Sequence, residues 1–133
     1  YLHPDEEKFF ISGPSSTGLL GDNANIVLAI CYELSVPEHA HNAFNSGAKI
    51  YIASVAKFVD GVEKAVKRLS EIGSHYSMTA LMSNCVGKSD GDECAGKTSV
   101  WNNEGLLVEQ LNATDEGIII FDTDTQDRII KMI

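Results

Sequence analysis

The sequence is short of cysteine and of basic residues, and each shortage excludes a class of protein. Three cysteines, an odd number without dense spacing, do not make a disulfide framework and indicate a reducing compartment, so we predict a cytoplasmic location. Ten Lys and Arg against 19 Asp and Glu give a formal net charge of −9, which would repel a nucleic-acid backbone or an anionic membrane. We therefore predict neither of these partners.

Long apolar runs are also missing. No run approaches the roughly 20 residues that span a bilayer, and residues 1–7 show neither the basic nor the apolar region of a signal peptide. The tripeptide Asn112-Ala113-Thr114 matches a glycosylation acceptor, which matters only in a secreted protein. With 44% hydrophobic residues in 133, the chain is the size of one domain and can bury a core.

The central stretch of the sequence is a short apolar run that ends in a cysteine. Ile26–Ile30 predicts a strand buried on both faces, with Cys31 directly after it. Ligands of open α/β sheets bind beyond the carboxyl ends of the strands. Pro37 suits the first turn of a following helix, with Ser35 as a cap, and its free N–H groups would favour a thiolate. The alternative is that Cys31 is a small buried apolar residue.

Strands and helices alternate after Cys31. The segment from Pro37 to Ser46 predicts a helix that stops at Gly47, and the apolar run Lys49–Ala53 predicts a strand parallel to the first. Asp60 and Glu63 form a capping-box pattern that opens a second helix. The apolar stripe of that helix consists of Val62, Val66, Leu69, Ile72 and Tyr76, and the next strand is Met78–Met82. We predict that His39 and His41 lie on the surface.

Turns and short strands fill the rest of the chain. Glycine-rich stretches at 13–18 and 21–23 predict turns around a short strand at Leu19 and Leu20. We expect a polar loop at 87–96 that exposes Cys94, and a disulfide to Cys85 is possible but has no support from the sequence. Further elements are predicted as strands at 99–101, 106–108 and 118–121 and a helix or arm at 123–133.

Four segments together resemble the nitrilase superfamily, the carbon-nitrogen hydrolases. They are Cys31-Tyr32-Glu33 with Pro37-Glu38, then 47–54, then Ser83-Asn84-Cys85-Val86-Gly87, then 96–101 with Gly105. The resemblance covers most of the chain. It implies an α/β fold that is half or more of a four-layer αββα sandwich, with mixed sheets and helices on the outer face. It also implies a single domain, 1–133, truncated at its amino-terminal side.

The resemblance implies an amidase that cleaves a small carboxamide or carbamoyl substrate, or less often a nitrile, to acid and ammonia. Cys31 would be the nucleophile that forms a thioester, and the N–H of Tyr32 would stabilise the oxyanion. Glu7 would lie near the active site, although residues 5–7 could equally be a solvated acidic run. Ser54 and Glu33 would line the pocket, although Ser54 could be a turn serine and Glu33 a helix-start charge.

The other two members of the family's Cys-Glu-Lys triad would precede a segment like Leu2-His3-Pro4, so we expect the 133 residues alone not to turn over amides. No metal or organic cofactor is implied, and a homodimer or larger homo-oligomer is. A half sandwich would leave one sheet face uncovered. Two other functions stay open: a non-catalytic binding or scaffold homologue, and a glutaminase domain that feeds ammonia to a synthetase.

Overall fold

A computed structural model describes residues 1–13, 19–20, 25–89 and 91–133, which form nine strands and two helices. In chain order they are β1 (Ile26–Ile30), α1 (Pro37–Asn45), β2 (Ile50–Val55), α2 (Val59–Tyr76), β3 (Thr79–Asn84), β4 (Val86–Ser89), β5 (Asp92–Ala95), β6 (Ser99–Trp101), β7 (Leu107–Gln110), β8 (Gly117–Phe121) and β9 (Arg128–Met132). A single 3₁₀ turn, Cys31–Ser35, joins β1 to α1. The predicted turn at 21–23 and nearly all of the one at 13–18 lie outside the described residues.

The main sheet is mixed and has the strand order β1-β2-β3-β6-β7. The first three strands are parallel, because helices α1 and α2 return the chain to the same end each time, and β6 and β7 are antiparallel. This confirms the predicted α/β layer with its parallel pair. Leu20, in the predicted short strand, forms an antiparallel bridge with Ile26 at the start of β1.

Both helices pack on one face of this sheet and close a single core. The predicted stripe on α2 is confirmed: Val62, Leu69 and Ile72 are buried and Val66 and Tyr76 pack against them. Burial of each large apolar side chain contributes about 1.5–3 kcal/mol relative to exposure. The sheet supplies Val27, Ala29, Tyr51, Ala53, Val55, Ala80, Met82 and Trp101 to the same core. The small residues among them let the helices approach closely.

The two helices begin without side-chain caps. Pro37 lies in the first turn of α1, as predicted, but Val36 is the N-cap, since Ser35 still belongs to the 3₁₀ turn. Helix α2 starts after Phe58, so the predicted capping box at Asp60 is wrong and that carboxylate lies within the first turn. There it faces the positive end of the helix dipole.

The other face of the sheet is open, so the prediction that β1 is buried on both faces is wrong. Leu28 is 45% exposed and Ile30 is 63% exposed. The register places Leu28, Ile52 and Leu81 side by side on this face of β1, β2 and β3, whereas Val100, next in line on β6, is buried. We call Leu28, Ile52 and Leu81 the open-face row. An apolar row of this kind is what a second sheet would cover.

Two hairpins replace elements that were predicted differently. Strands β4 and β5 pair with each other where a polar loop was predicted, and the backbone of β5 also bonds to Lys57 and Phe58. Residues 117–132 form the hairpin β8–β9, so of the two forms predicted for 123–133, a helix or an arm, the helix is wrong. No helix within the described ranges is long and apolar enough to cross a membrane.

Candidate active site

The carboxyl ends of β1, β2 and β3 meet at one edge of the sheet and bring several predicted residues together. Ile30, the residue before Cys31, pairs with Ser54 of β2, and Ser54 pairs with Ser83 of β3. Ser54 and Ser83 are exposed and share the open face. The sequence analysis selected Ser54 but not Ser83. The sequence signal that could have identified Ser83 is its position as the first polar residue after an apolar run.

Cys31 lies at this edge in an unusual backbone conformation. It is exposed, and its φ of +47° lies in the left-handed region, which costs a residue with a Cβ about 1–3 kcal/mol. Strained residues of this kind cluster at functional sites. The 3₁₀ turn begins at Cys31 itself, so the N–H groups of its first residues have no intrahelical partner. The exposed position at a strained turn and the unpaired N–H groups would both suit a nucleophile.

Glu33 stabilises the turn that carries Cys31 by accepting two hydrogen bonds. Its Oε2 accepts a hydrogen bond from the N–H of Ile30 at 2.9 Å, and its Oε1 accepts one from the amino group of Tyr1 at 3.0 Å. Partial burial raises the pKa of Glu33, but these two donors and His39 outweigh it and hold the pKa below its ordinary value. The structure thus gives Glu33 the helix-start role, and its part in a substrate pocket stays a prediction.

His39 is buried, contrary to the surface position that we predicted. It is 4% exposed, and its Nδ1 lies 2.8 Å from Oη of the fully buried Tyr51. Its Nε2 lies 3.8 Å from Oε2 of Glu33. Helix α1 turns this position toward the sheet, whereas His41 stays exposed. The buried Tyr51 and His39 therefore form a series with the partly buried Glu33 of the Cys31 turn.

We expect acidification to destabilise the fold through His39. Burial lowers the pKa of His39, the charge of Glu33 opposes this, and the Tyr1 amino group adds to it. The unfolded chain then binds more protons below about pH 6.5, so stability is full above that pH and is lost as pH falls toward the lower, folded-state pKa. Urea unfolding between about pH 5 and 8 measures this slope.

The matched variants are His39→Gln and His41→Gln. His39→Gln should flatten the dependence of the unfolding free energy on pH, while His41→Gln should leave the wild-type slope unchanged because His41 is exposed. Glu33, Tyr51 and the Tyr1 amino group face His39 and stay constant in both variants. An identical slope in wild type and His39→Gln would contradict the assignment.

Asn84, at the end of β3, ties three chain segments together at the same edge. Its Oδ1 accepts from the N–H of Lys57 at 2.7 Å, and its Nδ2 donates to the carbonyls of Lys57 at 3.1 Å and Gly96 at 2.7 Å. The main-chain N–H of Asn84 donates a hydrogen bond to the hydroxyl of Thr98, and that hydroxyl donates one to the main-chain carbonyl of Asn84. Sequence analysis gave Asn84 no role, because its partners are distant in the chain.

The remaining predicted site residues are Tyr32, within the Cys31 turn, and Glu7, near the amino terminus. Tyr32 is half-buried, and the ring of His3 packs edge-on against it with centroids 5.1 Å apart. Glu7 is exposed in the turn at 4–9. No hydrogen bond or ion pair among the described residues joins Glu7 to Cys31. Its catalytic role stays a prediction.

A cavity lies beside this edge of the sheet. A cavity of about 340 Å³ opens beyond β3, and its lining includes Ser83, Asn84, Cys85 and Lys97. The part of the chain that the structure describes holds no group of three or more His, Cys, Asp and Glu side chains placed to bind a metal ion. The lining of the cavity also includes Asp115 and Glu116, so charged groups lie there beside hydroxyl, amide and thiol groups.

Comparisons with known proteins were made by sequence and by structure. The model of the family described as carbon-nitrogen hydrolase matches residues 3–129. No curated protein matches the chain by sequence. The match to the family therefore rests on a pattern that is spread over nearly the whole chain.

Solved structures share the fold at low identity. They include Saccharomyces cerevisiae Nit3, a member of branch 10 of the nitrilase superfamily (17% identity, TM-score 0.63, 68% of this chain and 34% of that one). A carbon-nitrogen hydrolase from Helicobacter pylori gives 16% identity and a TM-score of 0.61 over 68% of this chain and 37% of that one. A mutant amidase from Nesterenkonia sp. AN1 gives 18% identity and a TM-score of 0.70 over 99% of this chain and 46% of that one. The chain thus spans less than half the length of each.

Proposed function

This chain belongs to the carbon-nitrogen hydrolase family, and from that premise we propose that it is part of an amidase whose nucleophile is Cys31. The substrate would be a small carboxamide or carbamoyl compound. The observation that carries the proposal is the placement of Cys31, exposed and in a left-handed conformation at the carboxyl end of β1. Catalytic groups of α/β sheets lie at such an edge.

In the proposed reaction, the Cys31 sulfur attacks the carboxamide carbon and forms a tetrahedral intermediate. The C–N bond then breaks, the nitrogen takes a proton and ammonia leaves, and the acyl group remains on sulfur as a thioester. Water adds to the thioester, releases the carboxylic acid and returns the proton to the thiol. A thiolate suits both halves because sulfur is a strong nucleophile and a good leaving group.

The neighbouring residues would orient the substrate. The N–H of Tyr32 would donate to the oxyanion, and Ser54, with Ser83 beside it, would bond to substrate polar atoms along the open face. Glu33 would hold the turn and Glu7 would assist proton transfer. The family resemblance implies a general base and a lysine cation besides these residues, and it would place both before a segment like Leu2-His3-Pro4.

A relative at the level of the fold supports a cysteine as the reacting group. The Nesterenkonia amidase mutant is described as showing covalent addition of the acetamide moiety of fluoroacetamide at its active-site cysteine. A haloacetamide is therefore a fitting reagent for Cys31, since it carries a carboxamide and an alkylating carbon. We propose amide hydrolysis over nitrile hydrolysis because this relative is described as an amidase and its cysteine carries an acetamide moiety.

We expect iodoacetamide to alkylate Cys31 faster in the folded chain than in the same chain unfolded in urea, by roughly several-fold at neutral pH. Mass mapping of peptides gives the rate at each cysteine. Dividing each folded rate by its unfolded rate removes the intrinsic reactivity of a thiol and the effect of local sequence. Cys85 and Cys94 serve as internal controls and should react more slowly when folded, because one is half-buried and the other buried.

Exposure alone would give Cys31 a folded rate close to its unfolded rate. A ratio at or below one would therefore contradict the proposal and favour the non-catalytic homologue. Replacement of Cys31 by serine should remove the fast phase without changing the other two rates. The predicted homo-oligomer and the predicted cytoplasmic location stay predictions.

A further inference from the structure

Two cysteines outside the proposed nucleophile face each other at the end of β3. The thiol of Cys85, between β3 and β4, points at Sγ of Cys94 in β5 from 2.7 Å, and it also lies 3.9 Å from Oδ1 of Asn84. Cys94 is only 2% exposed, whereas Cys85 is half-buried. The prediction that Cys94 is an exposed thiol is therefore wrong, and the two sulfurs form a close pair.

The backbone fixes both cysteines in this arrangement. The carbonyl of Cys85 accepts a hydrogen bond from the N–H of Gly96 at 2.9 Å, and Cys94 pairs with Gly87 in the β4–β5 ladder. On its other side, β5 bonds to Lys57 and Cys94 bridges Phe58. Both chain segments are thus held on two sides, so the approach of the sulfurs is a property of the fold.

From this geometry we propose that Cys85 and Cys94 are a covalent modification site that closes to an intramolecular disulfide when a low-molecular-weight disulfide is the oxidant. An S–S bond is about 2.05 Å long, so the sulfurs need to approach by only about 0.7 Å. The bond would join β5 to the end of β3, beside Asn84. This inference does not depend on the proposed hydrolase reaction.

The exchange proceeds in two steps. The Cys85 thiolate attacks one sulfur of the oxidant, RSSR, which forms a mixed disulfide and expels one RS⁻. The Cys94 thiolate then attacks the Cys85 sulfur and expels the second RS⁻, and the protons from both cysteines convert the two RS⁻ into RSH. The protein loses two electrons and two protons, and RSSR is reduced. Cys85 reacts first because it is the more accessible of the pair.

Cys31 is excluded from this bond by distance. It follows β1, and Cys85 follows β3, with β2 between them, so roughly 10 Å of sheet separates the two positions. Oxidation of the pair therefore does not join Cys31 to either cysteine. As an exposed thiol, Cys31 can form only a mixed disulfide with the oxidant, which the distant pair cannot resolve.

The test treats the 133-residue chain, at low protein concentration, with oxidised glutathione and then with iodoacetamide under unfolding conditions. We expect an intact mass that lacks two hydrogens, about 2 Da, and carries one added group, carbamidomethyl or glutathione, on Cys31. Trypsin cleaves after Arg68, Lys88 and Lys97, so the bond should link peptide 69–88 to peptide 89–97. Three carbamidomethyl groups, or a link that includes Cys31, would overturn the proposal.

Variants at position 94 test the order of attack. In Cys94→Ser and in Cys94→Ala, Cys85 should stop at a glutathione mixed disulfide, because the resolving thiol is gone. The alanine variant serves where a buried serine hydroxyl disturbs the fold. Loss of two hydrogens in either variant would mean that Cys85 has another partner and would also overturn the proposal.

Discussion

Asn84→Ala is expected to lower the free energy of unfolding by about 3 kcal/mol. The change leaves the N–H of Lys57 and the carbonyls of Lys57 and Gly96 without their partner at a side chain that is 9% exposed. Each buried polar group left unpaired costs about 1–3 kcal/mol, and the losses within one network are not additive. Urea unfolding followed by the fluorescence of Trp101, the single tryptophan, measures the change.

The control is Asn103→Ala, because Asn103 is exposed in the β6–β7 turn. This variant should change the unfolding free energy by less than about 0.5 kcal/mol. Equal effects of the two changes would show that Asn84 does not join the segments as described. Asn84→Asp is informative as well, since it keeps the acceptor for Lys57 but replaces the amide donor with a buried charge.

Gly105→Ala is expected to destabilise the protein by about 3 kcal/mol or more. Gly105 has φ +78°, and an added Cβ would collide with the backbone carbonyl of Ser70 in α2. Gly73 of the same helix packs against Gly105 in turn, so neither side can yield easily. The hydroxyl of Ser70 donates to the carbonyl of Gly105 at 2.7 Å, and this bond would be broken as α2 and the turn separate.

Gly47→Ala is the matched control, because Gly47 has φ +87° but nothing within 4 Å of an added Cβ. It isolates the cost of the left-handed backbone, which is about 1 kcal/mol. The difference between the two variants then measures the collision alone. Similar losses in both would mean that the turn moves freely away from α2.

Sequence reasoning located the elements whose signals are local. The run Ile26–Ile30 became β1 without a change of bounds, and Pro37 and Gly47 bracket α1 as expected. Gly105 takes the positive φ that its turn requires. In each case neighbouring residues carry the whole signal, because hydrophobic period, proline and glycine act within a few positions.

Features that depend on distant contacts were missed. The hairpin β4–β5 has little apolar content, and its pairing with Lys57 and Phe58 stabilises it across almost 40 positions of sequence, a separation that no local pattern encodes. Cys94 is buried for the same reason. The exposure of Leu28 and Ile30 was missed because an apolar run does not tell whether both faces of its strand are covered.

In the candidate site, too, the features with local signals were predicted and those that depend on distant contacts were missed. The place of Cys31 after a strand, and of Ser54 beside it, followed from the order of strand, turn and helix together with the family resemblance. The burial of His39 against Tyr51 and the bonds of Asn84 did not, because both pairings connect different elements. Polar residues in turns give no sign of what they contact.

The alternation of β1 between core and open face has a consequence for insertions and deletions. Val27 and Ala29 face the helices while Leu28 and Ile30 face outward, and Cys31 follows this alternation at a fixed step. Adding or removing one residue would exchange the two sets of side chains and rotate the cysteine by half a pleat. Natural length variation in this region should therefore be confined to the loops, and β1 itself should keep an invariant number of residues.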